Sequence, residues 1–175
     1  MNSFIPVIAK LLAVLTVVTD IAIVLYLFLP RFRNFVTPIV SPYARILAFI
    51  VALVAMGGSL FFSEIAKYTP CLLCWWQRIF MYPQTILIAM GIIKNDRNSA
   101  DYAIGLSAVG GSIALYHYYI QLGGKTFFSC AQVGFSASCT ERFTLEFGYV
   151  SIPMMALTAF AAIIILMTIY SREAR

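Results

Sequence analysis

Five long apolar runs divide the 175-residue sequence, and this pattern constrains the fold more than any other feature. Each run approaches the roughly 20 residues that an α-helix needs to cross the hydrocarbon core of a bilayer. Only 11% of the residues are charged, against about 25% in an ordinary globular domain. The sequence therefore predicts an all-α, polytopic membrane protein. Its helices are expected over Leu11–Leu29, Ile46–Phe62, Cys71–Ile93, Tyr102–Leu122 and Tyr149–Tyr170.

The first run is predicted to be a retained transmembrane helix and not a cleaved signal peptide. It is too long for a signal-peptide core, and Pro-Arg-Phe-Arg follows it where a cleavage site needs small residues. After this run, Pro38 and Pro42 argue against one continuous helix leading into the second run. Asp20 lies near the middle of the first run, where an acidic side chain suggests a function. A protonated or helix-paired Asp20 is the alternative.

The net charge of +5 does not indicate nucleic-acid binding, because the basic residues punctuate the apolar runs instead of clustering on one face. Their distribution predicts an outer N-terminus and an inner C-terminus, with seven basic residues inside and four outside. The inner ones are Arg31, Arg33, Arg45, Lys94, Arg97, Arg172 and Arg175, and the outer ones are Lys10, Lys67, Lys125 and Arg142. Both cysteine-bearing loops then face the oxidising exterior, where disulfides persist.

The stretch TPCLLCWWQR places a Cys-x-x-Cys pair at the outer end of the third run. Thr69 can cap a helix and Pro70 can be its first residue. This start puts Cys71 in the first turn and Cys74 just after it. The positive end of the helix dipole favours thiolate over thiol there. Arg78 shares the helical face of both cysteines, and its charge favours the anion further.

Arg78 and His117 are candidates for the same site. Arg78 is costly at membrane depth unless it has a function, although snorkelling to the headgroups or pairing with Glu64 is the structural alternative. His117 is the only histidine and lies about one turn below the outer interface, near the depth expected for Arg78. Its structural alternative is an interfacial histidine that is hydrogen-bonded to the backbone.

Cys130 and Cys139 form a second pair in the long loop after the fourth run, which is polar enough for water to reach. A purely structural disulfide is one interpretation. A zinc site built from all four cysteines is another, but such a site gives no reason for an arginine in the membrane. Covalent haem is excluded, because Trp75 follows Cys74 where the attachment motif requires histidine.

The motif PCLLCWWQRIFMYP, the loop with its second cysteine pair and the later FGYVSIPMMALTAF resemble the DsbB/BdbC family of disulfide bond formation proteins. The resemblance covers roughly residues 44–171 and is closest to the shorter BdbC type. It implies that the second to fifth runs form a four-helix transmembrane bundle within residues 44–175. Residues 1–43, with an extra transmembrane helix and a cytoplasmic linker, depart from the family pattern.

The resemblance implies a role for each residue of the membrane pair. Cys71 and Cys74 match the pair that hands electrons to a quinone, either ubiquinone or menaquinone, with Cys74 as the thiolate beside the ring. Arg78 matches the family arginine near the quinone. His117 matches, more loosely, a histidine placed near it. No metal is expected.

The resemblance also implies a partner and a location. Cys130 and Cys139 match the loop pair that oxidises a thioredoxin-fold protein of the DsbA or BdbD type, and Cys130 takes the attack of the partner's thiolate. An interloop link between Cys139 and Cys71 then returns the loop pair to its oxidised state. The expected location is the bacterial cytoplasmic membrane, with both cysteine loops outside.

Two other functions share parts of this pattern. Vitamin K epoxide reductase-like proteins also combine a membrane Cys-x-x-Cys, a loop pair and a quinone, but there the loop cysteines precede the Cys-x-x-Cys helix. Here they follow it, which favours the DsbB-like interpretation. A non-catalytic membrane protein with structural disulfides or bound zinc is the third possibility.

Overall fold

The computed structural model describes residues 4–126 and 138–173, and this part of the chain is all-α, as predicted. Its α-helices are α1 (Phe4–Phe28), α2 (Pro30–Val40), α3 (Ala44–Leu60), α4 (Leu72–Ile93), α5 (Ser99–Gln121) and α6 (Ile152–Glu173). A 3-10 turn joins α2 to α3, and a π-helical turn, Phe61–Ile65, follows α3. The five long helices α1, α3, α4, α5 and α6 correspond to the five apolar runs.

Three helical segments of the described chain are long and apolar enough to cross a membrane: Phe4–Phe28, Pro30–Ile65 and Ile152–Glu173. Helices α4 and α5 are long as well, but they carry more polar side chains in their interior-facing turns. The buried polar residues of these two helices include Gln77, Gln84, Ser107 and His117. The sequence predicts five membrane crossings, and the crossings by α4 and α5 stay a prediction.

The expected break at Pro38 and Pro42 is confirmed in part. Pro38 lies inside α2, but Pro42 lies in the 3-10 turn that separates α2 from α3, although helical turns continue from Pro30 to Ile65. A second break comes earlier, at Leu29, whose φ of −109° and ψ of 100° are extended. A residue before proline is pushed out of the α region, and proline is well suited to the first position of a helix. Pro30 therefore ends α1 and begins α2.

Helices α3 to α6 pack into a four-helix bundle in which α3 and α5 each contact both α4 and α6. Small residues of α3 and α5 let the helices approach closely, while larger side chains of α4 and α6 fill the space between them. The buried core includes Ala48, Ala52, Met81, Ile88, Ala100, Ala103, Ala114, Phe160, Ile163 and Met167. α1 packs against α6 at the periphery of this bundle.

Polar contacts join the helix ends that lie opposite the Cys-x-x-Cys pair. Arg45 at the start of α3 donates to the carbonyl of Gly91 (3.2 Å) and to Asn95 Oδ1 (2.9 Å), and its guanidinium lies 4.5 Å from the ring centre of Tyr170. Arg45, which the charge count assigned to the inner side, thus lies at this end of the bundle. Which end faces the cytoplasm stays a prediction.

The close approach of α5 to α6 generates a stability prediction. A Cβ at Gly110 would overlap the ring of Phe160, which is fully buried, whereas a Cβ at Gly105 would meet nothing within 4 Å. We expect Gly110→Ala to lower the free energy of unfolding by about 1–3 kcal/mol through overpacking. Gly105→Ala is the matched control and should be neutral or slightly stabilising. Thermal unfolding in detergent measures both, and equal melting temperatures would show that this contact is not tight.

Candidate functional site

Cys71 is the N-cap of α4, and its sulfur caps the helix. Its backbone is extended (φ −78°, ψ 173°), and Sγ accepts a hydrogen bond from the backbone N–H of Cys74 (3.4 Å). The predicted start of the helix at Thr69 and Pro70 is therefore wrong by two residues. The sulfur satisfies one of the unpaired N–H groups of the first turn, a task usually performed by a side-chain oxygen. Cys71 thus lies just outside the helix and Cys74 lies within its first turn.

The sulfurs of Cys71 and Cys74 are close enough to form a disulfide after a small movement. Both cysteines are free thiols, with their Sγ atoms 3.1 Å apart. A disulfide requires a separation of about 2.05 Å, so a movement of roughly 1 Å would join them. Cys71 is buried and Cys74 is half-buried.

Cys74 borders an open cavity of about 260 Å³ that is lined by α1, α3, α4, α6 and the segment that connects α3 to α4. Most of its walls are apolar. Arg78 lines the same cavity, but Cys71, which was expected on the same helical face, does not, because it precedes the helix. The guanidinium of Arg78 donates from Nε to Ser59 Oγ (3.0 Å) and from Nη2 to the Ser59 carbonyl (3.1 Å). The hydroxyl of Tyr82 also donates to Ser59 Oγ (3.2 Å), so these three side chains form a polar patch on one wall.

Pairing with Glu64, one structural alternative for Arg78, is not what the structure shows. Its guanidinium lies 5.2 Å from the ring centre of Trp75 and donates to Ser59, on the neighbouring helix. Glu64 accepts instead from the hydroxyl of Ser63 (3.1 Å). Arg78 is thus held inside the protein at the cavity wall.

His117 lies beside Cys71 and not in the large cavity. It is buried, with Nε2 3.6 Å from Cys71 Sγ and 3.2 Å from the Cys139 carbonyl oxygen. Nδ1 lies 3.0 Å from Nε2 of Gln77. Since the amide nitrogen of Gln77 can only donate, Nδ1 accepts, and Nε2 of the neutral ring carries the proton that it donates to Cys139. His117 is not among the residues that line the large cavity, and its expected depth near that of Arg78 stays a prediction.

Cys139 belongs to this second side of the site. It is buried with Cys71 and Ile120 in one cluster and is disulfide-bonded. Cys130, its predicted partner, lies outside the described residues. A smaller pocket is lined by Cys71, Cys74, His117 and residues that follow Cys139, including Glu141 and Phe143. The loop cysteine and the membrane pair are therefore neighbours, as an interloop exchange requires.

A four-cysteine zinc site is not formed by the described residues. The groups that could hold a metal together are Cys71, Cys74 and His117, whose ligand atoms lie within 4.8 Å of one another. Cys139 is not in this group, and a disulfide sulfur is not the thiolate that zinc binds. Three ligands at the helix end leave a structural zinc site incomplete.

The sequence did not predict that Gln77 and Ser59 belong to the site, although each orients one of its side chains. Gln77 fixes the orientation of the His117 ring, and Ser59 fixes the Arg78 guanidinium. The signal for Gln77 was its position in an apolar helix directly before Arg78, since a polar group at this depth needs a partner. Ser59 followed two glycines in an otherwise apolar run, which indicates close packing against another helix.

Comparison with known proteins identifies the family that this arrangement belongs to. The family profile described as "Disulfide bond formation protein DsbB" matches residues 42–170. The chain belongs to the DsbB family of disulfide bond formation proteins. As a member of this family it is a membrane oxidoreductase. The match to DsbB begins after α2, so that α1 and α2 both lie outside it.

Relatives of the DsbB-family chain share about two fifths of the aligned residues. A "Probable disulfide formation protein C" of Halalkalibacterium halodurans is 42% identical over 132 residues, covering 72% of this chain and 91% of the relative. A "Probable disulfide formation protein C 1" of Bacillus anthracis is 40% identical over 121 residues, covering 69% and 86%. The "Disulfide bond formation protein C" of Bacillus subtilis is 37% identical over 128 residues, covering 72% and 91%. No solved structure matches the chain.

Proposed function

We propose that this DsbB-family protein reoxidises a thioredoxin-fold dithiol oxidase outside the cytoplasmic membrane and passes the electrons to a membrane quinone. The observation that carries the proposal is the cavity that Cys74 and Arg78 share. The order of the cysteines in the sequence and the family match both favour this function over a vitamin K epoxide reductase-like one.

The residues around the cavity fit a quinone. A quinone head group is flat and largely apolar, with carbonyl oxygens that accept hydrogen bonds, and small-ligand sites combine apolar walls with a few placed donors. The cavity offers apolar walls from several helices and the Arg78 guanidinium as a donor. Two of the five N–H groups of Arg78 are used by Ser59, which leaves donors for a ligand. When bound, a quinone supplies an acceptor for two electrons and two protons.

The thiol chemistry is a series of exchanges through mixed disulfides. The reduced partner attacks the Cys130–Cys139 disulfide at Cys130, becomes oxidised and leaves both loop sulfurs as thiols. Cys139 then attacks Cys71 of the oxidised membrane pair, and Cys130 displaces Cys71 from this link. The loop disulfide is restored, and Cys71 and Cys74 are left reduced. Two electrons and two protons have thereby moved from the partner to the pair beside the cavity.

The two cysteines of the membrane pair divide this work between them. Cys71 faces the loop cysteine through the cluster that it shares with Cys139, so it receives electrons from the loop. Cys74 borders the cavity with Arg78, so it releases them toward the acceptor. We assign His117 to the first half, because Nε2 lies near both Cys71 Sγ and the Cys139 carbonyl. Its role is to donate a hydrogen bond from Nε2–H to the Cys71 thiolate when that sulfur becomes a leaving group.

The proposed orientation places the Cys-x-x-Cys end of the bundle outside, with an outer N-terminus and an inner C-terminus. The basic residues then follow the positive-inside distribution, and the loop cysteines meet an oxidising compartment. The setting would be a bacterial cytoplasmic membrane.

The function is tested by combining the purified protein in lipid nanodiscs with a reduced thioredoxin-fold oxidase and either ubiquinone or menaquinone analogues. Loss of the quinone absorbance should match the oxidation of the partner, one quinone for each disulfide. Partner oxidation without quinone consumption would contradict the proposal.

Replacing Cys74 with serine should abolish quinone reduction, because a serine hydroxyl can form neither a disulfide nor a thiolate at the cavity. Cys130→Ser is the matched control, since it should block oxidation of the partner while leaving the membrane pair able to reduce quinone after chemical reduction. Absorbance changes of the quinone measure both variants. Near-native turnover by Cys74→Ser would contradict the proposal that Cys74 passes electrons to the quinone.

Replacing Arg78 with glutamine should raise the apparent KM for quinone about 10- to 100-fold, the loss expected for a charged hydrogen bond of about 1.5–3 kcal/mol. Arg78→Lys keeps the charge but loses the planar group with two parallel donors, so its KM for quinone should lie between those of Arg78→Gln and the wild type. Steady-state kinetics at varied quinone concentration provide the measurement. An unchanged KM in Arg78→Gln would count against a contact with the quinone.

Replacing His117 with alanine should slow the re-oxidation of the loop pair by the membrane pair about 10- to 100-fold, the loss expected for a hydrogen bond to a charged sulfur, without changing the quinone affinity. The oxidised, quinone-free protein is mixed with two equivalents of reduced partner. The first equivalent needs only the loop disulfide and should be oxidised at the wild-type rate, whereas the second must wait until the membrane pair has restored that disulfide and should be slow. If His117→Ala instead weakens quinone binding and leaves the rate of the second equivalent intact, the histidine acts at the quinone, as the family resemblance implied.

A further inference from the structure

One wall of the cavity comes from α1, the helix that lies outside the DsbB match. Four residues of α1 line it, and they follow the spacing i, i+3, i+4 and i+7 that defines one face of a helix. These residues are Leu12, Leu15, Thr16 and Thr19. One stripe of α1 therefore lines the same cavity that Cys74 and Arg78 of α4 line.

The α1 stripe presents an apolar surface to the cavity despite its two threonines. Thr16 Oγ1 donates to the Leu12 carbonyl (2.9 Å), and Thr19 Oγ1 donates to the Leu15 carbonyl (2.8 Å). Both hydroxyl protons are thus used within the helix. The stripe suits the apolar ring edge or isoprenoid chain of a quinone, while Arg78 supplies the polar contact.

The N-terminal half of α1 packs closely against the bundle. Leu12 packs over Gly58 of α3, where an added Cβ would come within 3.2 Å of the leucine side chain. Ala13 and Thr16 are buried, and the ring of Phe4 contacts that of Phe61 edge to face. Small residues at such positions allow two helices to approach in a membrane.

Asp20 fixes α1 farther along its length. Oδ1 accepts from Thr158 Oγ1 of α6 (2.6 Å), and Oδ2 accepts from the hydroxyl of Tyr149 (3.4 Å). Burial, and then the carboxylate of Asp20, raises the pKa of Tyr149, so the phenol stays protonated and able to donate. Asp20 is thus the helix-paired residue that the sequence offered as an alternative. Thr158 itself lines the cavity, which places this contact at the cavity's edge.

We infer that α1 is an integral wall of the quinone site and contacts the bound quinone through its stripe of four residues. The inference rests on the proposed quinone function. The family match covers only residues 42–170, and in a chain limited to these residues the cavity would lack the wall that α1 provides. In this chain the added helix therefore contributes to quinone affinity.

Photolabelling of the intact protein tests the contact without any substitution. The full chain in nanodiscs is irradiated with an azido-substituted benzoquinone, with and without excess unlabelled quinone, and labelled peptides are mapped by mass spectrometry. We expect competable labelling in α1 and in α4. Labelling of α3, α4 or α6 without α1 would overturn the inference and leave the proposed function standing.

A matched pair of substitutions provides the second measurement. Leu15 lines the cavity, whereas Leu11, one turn earlier on the same helix, is 66% exposed and does not line it. We expect Leu15→Phe to change the quinone Kd about tenfold and Leu11→Phe to leave it within about twofold, since only the first alters the shape of the cavity. Kd is read from quenching of the fluorescence of Trp75 and Trp76, the only tryptophans of the chain.

The outcomes separate this inference from the proposed function. Equal Kd values for Leu15→Phe and Leu11→Phe, at the wild-type value and with wild-type melting temperatures, would overturn the α1 wall alone. If the wild-type protein shows neither competable labelling nor saturable quenching by quinone, the quinone function fails and the inference fails with it.

Discussion

Polar side chains that are buried between helices are removed from water, and most of them find a partner within the protein. The site is organised by this constraint. Arg78 of α4 donates to Ser59 of α3, and Gln77, the residue before it, donates to His117 of α5. Because consecutive residues of α4 are held by helices on its two sides, the rotation of α4 about its axis is fixed. That rotation decides which space each cysteine borders.

The N-terminus of α4 then separates two sulfurs that are only three residues apart. Cys71 precedes the helix in an extended conformation and lies with His117 and Cys139, while Cys74 lies inside the first turn and borders the cavity. The sulfur that meets the loop and the sulfur that meets the cavity are therefore different atoms 3.1 Å apart. The pair is thereby placed between Cys139 of the loop and the cavity, which is the arrangement that the proposed electron transfer requires.

Much of this could be predicted from the sequence, and the errors have local causes. The apolar runs correspond to the five long helices. Helical spacing correctly placed Cys74 and Arg78 on one face but wrongly added Cys71, which precedes the helix. The cap was misplaced because threonine is a common capping residue and cysteine is not, yet the sulfur of Cys71 accepts the N–H that a cap must satisfy. Pro42 lies in the turn between α2 and α3 as expected, whereas α2 continues through Pro38.

The sequence by itself determined that the chain forms long apolar helices and that a Cys-x-x-Cys pair lies at the start of one of them, because both follow from residue type and short-range spacing. Only the tertiary structure decided that His117 faces Cys71 instead of the cavity, and that α1 closes one side of that cavity. Both depend on how separate helices rotate and pack against one another. Contacts between residues more than a hundred positions apart, such as Asp20 with Thr158, leave no periodic trace in the chain.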